Sequence, residues 1–160
     1  MTADVHPAIE VLAPLLGTWS GHGRGDYPTI EAFEYVEEVT FSHVGKPFLS
    51  YTQRTRSDGG VPLHAEAGYL RVPAAGRIEL VLAHPTGITE IDEGTATADG
   101  GVLVIDVHST TIGLSGSAKD VFAVSRSFQV DGDELRYTVS MAAVGHGLQH
   151  HLSATLHRMP

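Results

Sequence analysis

The chain has no cysteine in 160 residues, so it can form neither a disulfide framework nor a thiolate–metal bond. It is short of positive charge: 10 Lys and Arg stand against 19 Asp and Glu, a formal net charge of −9. That balance argues against a phosphate-backbone binder and against docking on anionic lipid, so neither nucleic acid nor membrane is expected as a partner. No apolar run approaches the roughly 18 residues of a membrane-spanning helix. The opening segment MTADVHPAIEVLAPLLGTWS lacks a basic start and carries Asp4 and Glu10 beside its apolar stretch. It does not read as a signal peptide, and a cytoplasmic protein is the expectation. No Gly-x-Ser-x-Gly nucleophile elbow is present. Gly21-His22-Gly23-Arg24-Gly25 has the look of a phosphate loop, but it lies among strand-like segments with no helix behind it to bind an anion.

What remains is 42% hydrophobic residues, enough for a core, in a length that suits one domain over residues 1–160. The compositional oddity is 10 His. Without cysteine, any metal must be held by imidazole, carboxylate or a cofactor.

One short helix is expected near the N-terminus, with Asp4 as its cap, Pro7 in its first turn and Pro14 and Gly17 closing it. Ile9, Leu12, Leu15 and Leu16 share its apolar face. Beyond Gly17 the period becomes two. Phe33, Tyr35, Val39 and Phe41 alternate with polar residues, and Ile78, Leu80 and Leu82 do the same. Turn signals such as Ser57-Asp58-Gly59-Gly60, Ala98-Asp99-Gly100-Gly101 and Asp131-Gly132-Asp133 separate about ten such segments, the pattern of an antiparallel barrel or sandwich. Ser109 to Lys119 has no clear period and reads as a loop. Polar residues such as Gln53, Thr55, Thr95, Thr97 and Thr138 dilute the strands. They either line a ligand cavity or face solvent, and alternation alone does not choose.

In the last strand Leu148, His150, Leu152, Ala154 and Leu156 share one face, and Gln149, His151, Ser153, Thr155 and His157 the other. Core burial by apolar content therefore turns His150 inward.

A series of short motifs runs through nearly the whole chain: Gly17-Thr18-Trp19-Ser20-Gly21-His22-Gly23, Tyr27-Pro28-Thr29-Ile30, His64-Ala65-Glu66-Ala67-Gly68-Tyr69, Ala118-Lys119-Asp120 and Leu148-Gln149-His150-His151-Leu152. Each is weak alone; together and in this order they resemble the nitrobindins, the mycobacterial-type members above all. The resemblance implies a ten-stranded antiparallel β-barrel of the fatty-acid-binding-protein shape that holds one b-type haem per chain. It implies nitric oxide binding, and conversion of peroxynitrite to nitrate in the ferric state. It makes His151 the proximal iron ligand and the catalytic residue. Thr29 becomes a haem contact, Lys119 a neighbour of the propionates, and His64 and His84 cavity residues that tune ligand entry. Gly17, Trp19, Gly21 and Gly23 form the architectural motif, with Trp19 as a core plug.

The resemblance thus turns His151 inward and the leucines of the last strand outward, under the helix or at the contact of a homodimer. A regular strand cannot satisfy both assignments; a bulge near Gly145 to Gly147 is the expected escape. Two other readings of the same barrel stand beside an isomerase: a nitric oxide sensor or store without turnover, and a carrier of a fatty-acid-like apolar ligand. The carrier reading meets few obvious arginines to clamp a carboxylate.

Overall fold

The period-two pattern after Gly17 becomes ten strands, seen in a computed structural model that describes residues 3–160. They are β1 (Gly17–Tyr27), β2 (Ile30–Ser42), β3 (Phe48–Arg56), β4 (Pro62–Arg71), β5 (Arg77–His84), β6 (Ile88–Asp99), β7 (Val102–Leu114), β8 (Val121–Asp131), β9 (Glu134–Ala143) and β10 (His146–Arg158). Every neighbour in sequence is an antiparallel neighbour in space, and β1 pairs with β10 to close the barrel. Closure leaves no unpaired sheet edge.

The helix is a 3₁₀ helix, Pro7–Leu15. Its cap is His6 rather than Asp4: the Ala8 N–H donates to His6 Nδ1 at 3.1 Å. Pro14 falls inside the last turn instead of ending it, and Gly17, at a φ of +119°, turns the chain into β1. Ile9, Leu12 and Leu15 are buried. Trp19 lies fully buried beside them, donating from Nε1 to the Leu15 carbonyl at 2.8 Å. The Arg158 guanidinium covers its ring 4.2 Å from the centroid. Helix and Trp19 plug one end of the barrel over Leu49, Ile78, Leu103, Ile105 and Leu156.

The stretch expected to be a loop, Ser109 to Lys119, is strand as far as Leu114. A register shift leaves Thr110 as the extra residue between Ser109, opposite Asp92, and Thr111, opposite Ile91. One inserted residue reverses the alternation, which is why no period showed. Thr95, Thr97 and Thr138 face solvent, whereas Gln53 and Thr55 are buried.

β10 resolves the conflict between His150 and His151. Opposite Ser140 and Val139 of β9 stand His150 and Leu152, so His151 is the extra residue of a bulge. A second shift lies between His146 and Gln149, beside the glycines where one was expected. The leucines do not all turn outward. Leu156 is fully buried and Leu152 packs on the core, whereas Leu148 is exposed. The bulge lets His151 and Leu152 both face the interior, and His150 is left on the outside with its side chain 53% exposed.

Candidate functional site

At the end of the barrel opposite the helix the strands enclose a cavity of about 770 Å3. That size is within the range of small-molecule and cofactor sites. Thr29, Lys119 and Val144 stand on the connections at its mouth, with Ile30 at the start of β2; Phe33, Val121, Met141 and Leu152 form an apolar wall. His151 projects from the β10 bulge into this space.

Local backbone accounting explains how His151 is held. The β1–β10 ladder ends at Gly25 opposite Leu152, so the Asp26 carbonyl has no strand partner from β10. The His151 ring supplies one: Nδ1–H donates to the Asp26 carbonyl at 2.8 Å. Tyr27 braces the ring edge-on, 5.4 Å between centroids at 78°. Tyr27 is itself fixed, its hydroxyl accepting from the Ala143 N–H at 2.9 Å and donating to the Met141 carbonyl at 3.1 Å. Burial lowers the His151 pKa against the opposing pull of the Asp26 carbonyl, which favours the neutral ring. A neutral imidazole with its proton on Nδ1 presents the Nε2 lone pair, the form that ligates a metal.

The cavity floor is ionic. Arg126, buried on β8, reaches Glu66 at 3.1 Å, Glu90 at 2.8 Å and Asp92 at 3.4 Å. Burial opposes ionisation of Glu66 and Glu90, but Arg126 and the nearby histidines overcome it and hold both carboxyls below their ordinary range. Asp92 goes the other way: burial and then the Glu90 charge raise its pKa, and its carboxyl oxygens find no hydrogen-bond partner. Glu37 is pushed up to about 7 by burial, against the hydrogen bond from Tyr137. Tyr51 donates to Glu66 Oε1 at 2.6 Å, and Tyr35 and Tyr137 share a 2.7 Å hydrogen bond. The Arg126 guanidinium is saturated by its own carboxylates, so it is not free to clamp the carboxylate of a fatty acid.

The geometry finds counterparts among known proteins. Residues 8–158 match the family model described as "THAP4-like, heme-binding beta-barrel domain". The chain belongs to this family. It is 62% identical over 159 residues to peroxynitrite isomerase 2 of Mycobacterium ulcerans (strain Agy99), covering 99% of each chain. It is 61% identical over 159 residues to peroxynitrite isomerase 1 of Mycolicibacterium paratuberculosis, again covering 99% of each chain. The crystal structure of Rv2717c from M. tuberculosis superposes with a TM-score of 0.96 at 56% identity, covering 98% of this chain and 100% of that one. The nitrobindin resemblance of the sequence motifs and the all-β barrel agree with these matches.

The family's heme-binding character can be tested on the residues present. A neutral, braced imidazole with a free Nε2, an apolar wall and a lysine at the mouth suit a flat, apolar iron cofactor with charged edges. Of the residues named from sequence, Thr29, His64, His84, Lys119 and His151 all line this one cavity. Gly17, Trp19, Gly21 and Gly23 do not. Gly21 and Gly23 lie where a Cβ would come within 2.2 Å of the Thr155 carbonyl oxygen and the Tyr35 ring. Sequence reasoning passed over Glu66, Glu90, Asp92 and Arg126. The signal was available: Arg126 shares a face with Val124, Phe128 and Val130, and a charge on an inward face demands partners.

Proposed function

We propose that the chain isomerises peroxynitrite to nitrate with one non-covalently bound b-type haem, and that it binds nitric oxide at the same centre. The observation that carries the reading is His151, neutral and fixed through Nδ1 with Nε2 facing an apolar cavity. Bound haem would supply the iron chemistry on small nitrogen-oxide ligands. The chain's own part is ligation, orientation and shelter. His151 would hold the iron, Asp26 and Tyr27 aim its ring, and Phe33, Met141 and Leu152 would keep water from the bound cofactor. Thr29 would contact the cofactor at the rim, and Lys119 would offset its carboxylates there. His64 and His84 stand on the cavity surface and tune ligand entry. The absence of cysteine excludes thioether attachment and thiolate ligation, and the b type is what the nitrobindin resemblance implies.

Stopped-flow decay of peroxynitrite tests the activity. The haem-loaded chain should accelerate decay to nitrate over an equal amount of haem-free chain; equal rates refute it. Quenching of Trp19, the only tryptophan in the chain, should saturate at one haem per chain. Haem uptake with nitric oxide binding but no accelerated decay would make the protein a nitric oxide store instead.

A further inference from the structure

At the cavity floor, His64 and Glu66 lie two residues apart on β4 and project to the same side, and His84 ends β5 beside them. Three atoms converge. His64 Nε2 is 3.2 Å from His84 Nδ1, His84 Nδ1 is 3.3 Å from Glu66 Oε2, and His64 Nε2 is 3.7 Å from Glu66 Oε2. A tetrahedral zinc site with bonds of 2.0–2.1 Å spaces its ligand atoms about 3.3 Å apart, so the triangle has the size of one tetrahedral face.

The outer contacts orient two of the three, His84 and Glu66, toward that point. His84 Nε2–H donates to Glu90 Oε2 at 2.9 Å, which leaves the Nδ1 lone pair facing inward. This is the carboxylate–histidine arrangement that supports metal-bound imidazoles. Glu66 Oε1 is engaged by Tyr51 at 2.6 Å and by Arg126 at 3.1 Å, leaving Oε2 for the third corner. With its proton on Nε2, His84 turns a lone pair on Nδ1 toward Glu66 Oε2 across 3.3 Å, a contact that a cation at this point relieves. Arg126 alone leaves one negative charge of Glu66 and Glu90 unbalanced, which favours a cation at this corner.

We propose that His64, Glu66 and His84 form a binding site for a divalent transition cation of the zinc class, with its fourth position open to the cavity. Two imidazoles and one carboxylate suit such ions better than calcium or magnesium, which prefer all-oxygen shells. The site does not depend on the haem reading: its ligands come from β4 and β5, while His151 comes from β10.

Calorimetric titration of chelator-treated protein with zinc sulfate tests it. One zinc per chain should bind. His64→Ala, at a half-exposed position, should weaken binding by at least about 100-fold, beyond the loss expected for an outer partner. His150→Ala and His151→Ala should bind as the wild type does. No stoichiometric uptake, or uptake that survives His64→Ala, overturns the proposal. So does uptake lost in His150→Ala, which would place the ion on the exposed His150 and Asp26 pair. Cobalt(II) titration of the wild type needs no variant: intense visible bands mark the tetrahedral site, and a weak octahedral spectrum refutes it.

Discussion

His150 and His151 are adjacent and chemically identical, and their surroundings separate them. His150 is on the outer surface near Asp26 at 3.8 Å, a solvent-screened contact worth little. His151 is the bulge residue, with one ring nitrogen committed to a backbone carbonyl and the other presented to the cavity. In the haem-loaded protein, His151→Ala should lose the histidine-ligated Soret band and release haem, whereas His150→Ala should keep both. Absorbance after gel filtration reads the difference. That one of this pair faces the cavity was legible through the motif Leu148-Gln149-His150-His151-Leu152. That Leu152 faces it too was not, because a one-residue insertion into the ladder leaves no trace in composition or periodicity.

Among the elements, β1 shows most plainly how glycine shapes the barrel. At Gly23 a side chain would run into the Tyr35 ring of β2, whose hydroxyl pairs with Tyr137 across the interior. Gly23→Ala should therefore displace Tyr35 and cost about 1–3 kcal/mol. Gly147→Ala, with nothing within 4 Å, should shift stability by no more than about 0.5 kcal/mol. Urea unfolding followed by Trp19 fluorescence compares the two. The strands themselves were legible where alternation was clean, as in Ile78, Leu80 and Leu82. They were obscured where a register shift reversed it, as at Thr110 in β7. The helix was legible from its prolines, but its cap was misread. Asp4 has the more usual capping side chain, and only the chain path brings His6 Nδ1 to the Ala8 N–H.

Across the whole molecule, a barrel that buries four carboxyls, three of them around one guanidinium, has a pH-dependent stability. Glu37 has an ordinary value of 4.5 and is raised to about 7 by burial, so the folded state holds a proton that the unfolded chain releases. Its contribution is full below 4.5 and is lost as pH rises through about 7. Asp92 acts in the same sense, while Glu66 and Glu90, held low, lose their contribution as pH falls below the ordinary carboxylate range. Lowered by burial, the His151 pKa works against the Glu37 trend below about 6.5. The urea midpoint should therefore fall between about pH 5 and pH 7.5, and Glu37→Gln should flatten that decline. Midpoints measured at each pH for both proteins check it.

The sequence by itself determined the all-β class, the approximate strand number and the exclusion of thiolate chemistry. Through a run of motifs it also determined five residues that share one cavity. The class, strand number and exclusion follow from local alternation, from turn residues and from composition, none of which needs the chain to be closed; the five residues follow from the family resemblance alone. Tertiary structure alone decided which ring nitrogen of His151 is free, that Arg126 is already spent on Glu66 and Glu90, and that His64, Glu66 and His84 meet at one point. The first two are relations between strands far apart in sequence, and the third joins side chains of the neighbouring strands β4 and β5. Barrel closure and the β10 bulge set the first, strand pairing sets the others, and no single strand contains that information.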